Sequence, residues 1–133
     1  MKQGILLTHG PVGDAMIEAV RTIMGIDEGL YAISVTNMSI TEIASRLRAL
    51  VTAPAAEQDG VLIMASLRGG SCWNVSVGIA KEYPGIKVLS GLNLAMVLSF
   101  ISKRDSLAMP ELAEEVYQDG VRGVCLLTPG KPC

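Results

Sequence analysis

Gly4-Ile5-Leu6-Leu7-Thr8-His9-Gly10-Pro11 is the stretch whose reading decides the fold. An apolar run too short for a helix meets a Gly-Pro turn, which reads as a buried strand ending at His9. The same grammar recurs. Val61-Leu62-Ile63-Met64-Ala65 is continuous in its apolarity and runs into a Gly69-Gly70-Ser71 turn. Ile86-Lys87-Val88-Leu89-Ser90 runs into Gly91-Leu92-Asn93. Residues 30–35 read as one more strand. Strands buried on both faces lack alternation and belong to parallel sheets.

Helical patterns fill the intervals. Asp14 is placed to cap a helix with Met16, Ala19, Val20 and Ile23 on its inner face and Gly25 at its stop. Ser39-Ile40-Thr41-Glu42 fits a capping box. The helix after it carries Ile40, Ile43, Ala44, Leu47, Leu50 and Val51 at helical spacing. Pro54 ends or kinks that helix, and Gln58-Asp59-Gly60 makes a turn. A third helix opens at Gly69-Gly70-Ser71 and runs to about Tyr83. A fourth covers Leu94–Lys103, and Pro110 starts a fifth. Residues 121–128 read as a last strand, with Gly130-Lys131-Pro132 a loose end. The alternation predicts one α/β domain: a doubly wound, mostly parallel sheet covered by helices on both faces.

The chain has 133 residues, half of them hydrophobic and 18% charged. That is ample for one core and excludes general disorder. A net charge of −2 leaves no basic footprint for nucleic acid. The longest apolar stretch, residues 92–101, is half of what a bilayer span requires, and the first residues lack the features of a signal peptide. The expected location is the cytoplasm. Three cysteines in no C-x-x-C pair argue against a disulfide framework. Cys125 reads as a core thiol and Cys133 as a mobile end; only Cys72 falls where chemistry is expected.

In a doubly wound sheet, ligands bind beyond the carboxyl ends of the strands. Three loops there carry unusual residues: Thr8-His9-Gly10, residues 66–71, and Gly91-Leu92-Asn93. His9 is the only histidine. Neutral imidazole is a nucleophile at physiological pH, and Gly10 leaves room for a ligand. The plain alternative is a loop histidine bonded to a turn. Gly69, Gly70 and Ser71 precede a helix, so backbone amides and the helix dipole favour an anion there. Ser71 is placed to cap the helix or donate to a phosphate oxygen, and Arg68 to give a bidentate phosphate contact. The plain alternative is a helix cap in a tight turn. Asn93 reads first as a cap, second as a support for an active loop. A histidine and an anion-binding helix start at one sheet edge suggest phosphoryl transfer to nitrogen, which rests on positioning and charge stabilisation. No P-loop, dinucleotide fingerprint, zinc spacing or nucleophile elbow is present.

Over nearly its whole length the sequence resembles the mannose-type enzyme IIA components of the bacterial phosphoenolpyruvate-dependent sugar phosphotransferase system. The resemblance rests on Thr8-His9-Gly10, on Gly69-Gly70-Ser71 with Asn74, and on Gly91-x-Asn93-x-x-Met96, in this order and spacing. It implies that His9 takes a phosphoryl group from the carrier protein HPr and passes it to an enzyme IIB partner serving a sugar permease in the membrane. It also implies a homodimer, an antiparallel C-terminal edge strand at residues 121–128, and no metal or organic cofactor. Thr8, His9, Gly10, Ser66, Arg68, Gly70, Ser71 and Asn93 are the site residues expected.

Three positions depart from the family pattern near His9. Ser66 stands where the family usually has an acidic residue, Arg68 where it has an aromatic one, and Cys72 where it has proline. A fourth, Ala95, replaces a proline near Asn93. The missing carboxylate keeps a regulatory phosphoprotein in view beside the transport component. A non-catalytic anion-binding or assembly module is the reading from a different class.

Overall fold

The computed structural model describes all 133 residues. Four strands, β1 (Gln3–Thr8), β2 (Leu30–Ser34), β3 (Val61–Ala65) and β4 (Ile86–Ser90), form one sheet. Six helices complete the chain: α1 (Val12–Met24), α2 (Ile40–Val51), α3 (Pro54–Asp59), α4 (Gly70–Glu82), α5 (Leu94–Lys103) and α6 (Met109–Arg122). The strand order is β2-β1-β3-β4 and every pairing is parallel. The order therefore reverses between β1 and β3, and their carboxyl ends define the switch-point crevice.

The pleat sorts the apolar residues into two cores. Ile5, Leu7, Ile33, Val61 and Ile63 face α2, α3 and α4, where Ile43, Leu47, Val51, Ala56 and Ile79 meet them. Leu6, Leu30, Leu62 and Met64 face the other layer, with Val20, Val97, Phe100, Leu112 and Val116. Both central strands are buried along their whole length, which is why their sequences run apolar without alternation. Gly4 admits Phe100: a Cβ there would meet its ring and Leu30 at 3.0 Å.

Several local expectations are corrected. Asp14 is not a cap; α1 starts earlier, at Val12, and Asp14 lies exposed in its first turn. Gly13 and Val20 are the residues α1 buries, while Ile23 points to solvent. Ile40, the first residue of α2, is 61% exposed because the helix buries the stripe Ile43, Leu47 and Val51 instead. Pro54 does more than end α2: it opens the short α3.

The largest correction concerns residues 121–128, which do not form an antiparallel edge strand. α6 keeps its helical period through Arg122, and Val124, Leu126 and Leu127 are 78%, 88% and 80% exposed. The only bridge in the tail joins Thr128 to Lys131 across a turn. A strand needs a neighbour to satisfy its backbone, and this tail has none along β4. Cys125 is accordingly no core thiol: it is exposed and forms a disulfide with Cys133.

Candidate functional site

β1 ends at Thr8, and the chain must turn at once to start α1. Thr8 is buried and shapes that turn from both ends. Its carbonyl accepts from the Val35 amide at 2.9 Å, and its Oγ1 accepts from the Gly13 amide at 3.0 Å. Thr8 thus fixes the backbone immediately before His9. His9 is exposed at the mouth of the crevice. Gly10 follows in the left-handed region at φ 57°, a conformation glycine adopts without strain.

β3 ends opposite. Ser66 donates its amide to the Leu7 carbonyl at 3.0 Å, which locks the two strand ends together. Its Oγ is buried with no hydrogen-bond partner. Gly69 and Gly70 follow at φ 87° and 74°, so only glycine passes here unstrained. α4 then starts with no side-chain cap. Ser71 lies inside the first turn and does not cap the helix. The first-turn amides of α4 are free, which is the arrangement an anion requires.

These ends meet around a cavity of about 400 Å³ lined by His9, Ser66, Gly69, Gly70 and Ser71. Val35, Met38, Ile43, Leu67 and Cys72 supply its apolar wall. The structure therefore gathers His9, Ser66, Gly70 and Ser71 as the sequence led one to expect. Burial pushes the Cys72 thiol up, so it stays protonated at neutral pH.

Three expected residues are placed differently. Gly10 does not line the cavity; its amide donates to Thr36 Oγ1 at 2.8 Å. Arg68 is exposed on the β3–α4 loop, outside the cavity wall and outside every ion pair of the structure. Asn93 lies one strand further along, beyond β4. Its Oδ1 accepts from the Met96 amide at 3.0 Å and its Nδ2 donates to the Gly120 carbonyl at 3.2 Å. It caps α5 and ties it to α6, so the simpler of the two readings holds.

Sequence reasoning missed the contribution of the β2–α2 loop, residues 35–38. Its signal was faint: a Thr-Asn pair at the carboxyl end of a strand, on the same sheet edge as His9.

The family model EIIA-man, described as the PTS system fructose IIA component, matches residues 4–117. The chain belongs to the EIIA-man family. Among EIIA-man relatives, the chain is 29% identical to the PTS system sorbose-specific EIIA component of Klebsiella pneumoniae over 116 residues, 87% of this chain and 84% of that one. It is similar to the crystal structure of the phosphotransferase system component EIIA from Streptococcus agalactiae, with a TM-score of 0.85, 28% identity, and 94% and 96% of the two chains covered. It also matches the mannose/sorbose specific IIA subunit from Enterococcus faecalis, with a TM-score of 0.79, 25% identity and full coverage of both chains. This EIIA-man chain is thus a phosphotransferase-system component of the mannose/sorbose type, and it has no helix long and apolar enough to cross a membrane.

Proposed function

We propose that His9 carries a phosphoryl group between HPr and an enzyme IIB partner in the cytoplasm, on the path to a sugar permease. The observation that carries this reading is the cavity in which the sole imidazole shares a wall with the uncapped start of α4. A ring nitrogen of His9 attacks phosphorus, the N–P bond to the HPr histidine breaks, and its imidazole leaves with the electron pair. Each ring keeps the proton on its other nitrogen, so charge balances without a separate base. The first-turn amides of α4 and the Ser71 hydroxyl hold the equatorial oxygens, where charge sits in this kind of transfer. Arg68, exposed two residues before α4 and in no ion pair, is the cation that would add to this hold. Transfer to the histidine of enzyme IIB is the same step in reverse.

The protein working in this way is a homodimer. The exposed Val124, Leu126 and Leu127 and the apolar hollow of about 220 Å³ beside β4, lined by Leu89, Met96 and Tyr117, support a second copy as their cover.

Incubation with phosphoenolpyruvate, enzyme I and HPr tests the carrier role. Wild type should gain one acid-labile, base-stable phosphate, and His9→Ala should gain none. Equal labelling of His9→Ala, or no labelling of wild type by a cognate HPr, sinks the reading.

A further inference from the structure

We propose that Thr36 is a positioning residue for His9, acting through the Gly10 amide. The inference rests on the reading of His9 as the phosphoryl carrier and adds a residue to it.

The residues flanking His9 are fixed in different ways. Thr8 is held by the sheet and by Gly13. Gly10 has no such support: a Cβ built on it would meet nothing within 4 Å. No side-chain packing fixes Gly10, and glycine leaves its own φ and ψ free to vary. The one hydrogen bond of the Gly10 amide reaches 26 residues away, to Thr36 Oγ1 at 2.8 Å. Ser34 Oγ stands 3.4 Å from the same oxygen and donates to it, which orients the hydroxyl's lone pairs. Without this bond the turn at Gly10, at φ 57°, has no anchor outside its own backbone. His9 sits between the sheet-held Thr8 and this anchored amide, so Thr36 fixes the backbone from which the imidazole projects.

The loop that carries Thr36 is itself built for this. The Met38 amide closes a tight turn on the Val35 carbonyl at 3.0 Å. Asn37 takes φ 59° in that turn, the only residue other than glycine in the left-handed region. Asparagine tolerates that region at modest cost. Val35 and Met38, at either end of the turn, are cavity wall. The Thr36 bond thus ties the turn bearing the nucleophile to the opposite wall of its own cavity.

Thr36→Val keeps the shape and removes the acceptor; Thr36→Ser restores it. In the phosphorylation assay with HPr, Thr36→Val should lower kcat about tenfold with little change in KM, because a misplaced reacting atom costs rate rather than affinity. Thr36→Ser should recover to within about twofold. A wild-type rate for Thr36→Val overturns the inference, and so does a Thr36→Ser rate as low as that of Thr36→Val. The Gly10 amide, followed by NMR, provides a readout that needs no phosphoryl donor. Its temperature coefficient should be that of a bonded amide in wild type and Thr36→Ser, and of a solvated one in Thr36→Val. An unchanged coefficient overturns the inference even if wild type proves unable to accept phosphate, which is a failure of the carrier reading alone.

Discussion

Ser66 places a buried hydroxyl without a partner at the end of β3, one peptide past the last residue of the strand. A hydroxyl withdrawn from water and left unbonded lowers stability. Ser66→Ala should therefore raise the unfolding free energy in urea by about 1 kcal/mol; a loss of similar size would show that the hydroxyl has a partner in solution. His9 and the two glycines at the start of α4 were legible in the sequence because their peculiarity is local: a lone imidazole at a strand end, and glycines where the backbone takes positive φ. Thr36 was not legible. Its partner lies 26 positions away, and no spacing rule relates a threonine after one strand to an amide after another. The role of Gly10 changed for the same reason, since its amide was already committed.

Among elements, the α5–α6 pair shows how charge fixes a helix junction. Asp119 near the end of α6 accepts from Lys103 Nζ at 2.7 Å, from Ser99 Oγ at 2.6 Å and from Arg122 at 2.6 Å. These bonds, that from Lys103 foremost, hold its carboxyl well below the usual carboxylate range. The Lys103 ammonium is correspondingly pushed up, chiefly by its bond to Asp119. A carboxyl lowered by folding stabilises the native state above its unfolded pKa, about 4, and loses that contribution as pH falls toward the native value. Asp119→Asn should lower Tm by a few degrees at neutral pH, and the gap to wild type should close in acid. A gap of constant width down to strong acid contradicts this account.

The capping box at α2 was legible but incompletely so. Ser39 Oγ does accept from the Glu42 amide at 3.1 Å, yet the Glu42 carboxylate meets the Ser39 hydroxyl rather than its amide. Periodicity located α2, α4 and α5, while Ile23 and Ile40 came out exposed because an apolar residue at the margin of a stripe need not face the core.

For the whole molecule, the doubly wound sheet leaves β4 with a free edge and the tail with exposed apolar residues. If two copies cover these surfaces, sedimentation should give a dimer for the full chain. A chain ended at Gly123 should sediment as a monomer and keep its helical circular dichroism, since no core residue lies beyond that point. A full chain that sediments as a monomer at tens of micromolar removes the dimer from the functional reading.

The sequence alone determined the order of the four strands and of every helix but α3, the parallel sheet and the edge on which His9 sits. These follow from local chemistry: apolar runs of strand length, glycines at forced turns, and the rule that parallel strands share a carboxyl end. Only the tertiary structure decided what shares a cavity and what does not. It brought the β2–α2 loop to His9, left Asn93 a strand away as a cap, and denied residues 121–128 a neighbour to pair with. Each of those outcomes depends on a contact between residues distant in the chain, and such contacts carry no period that a sequence displays.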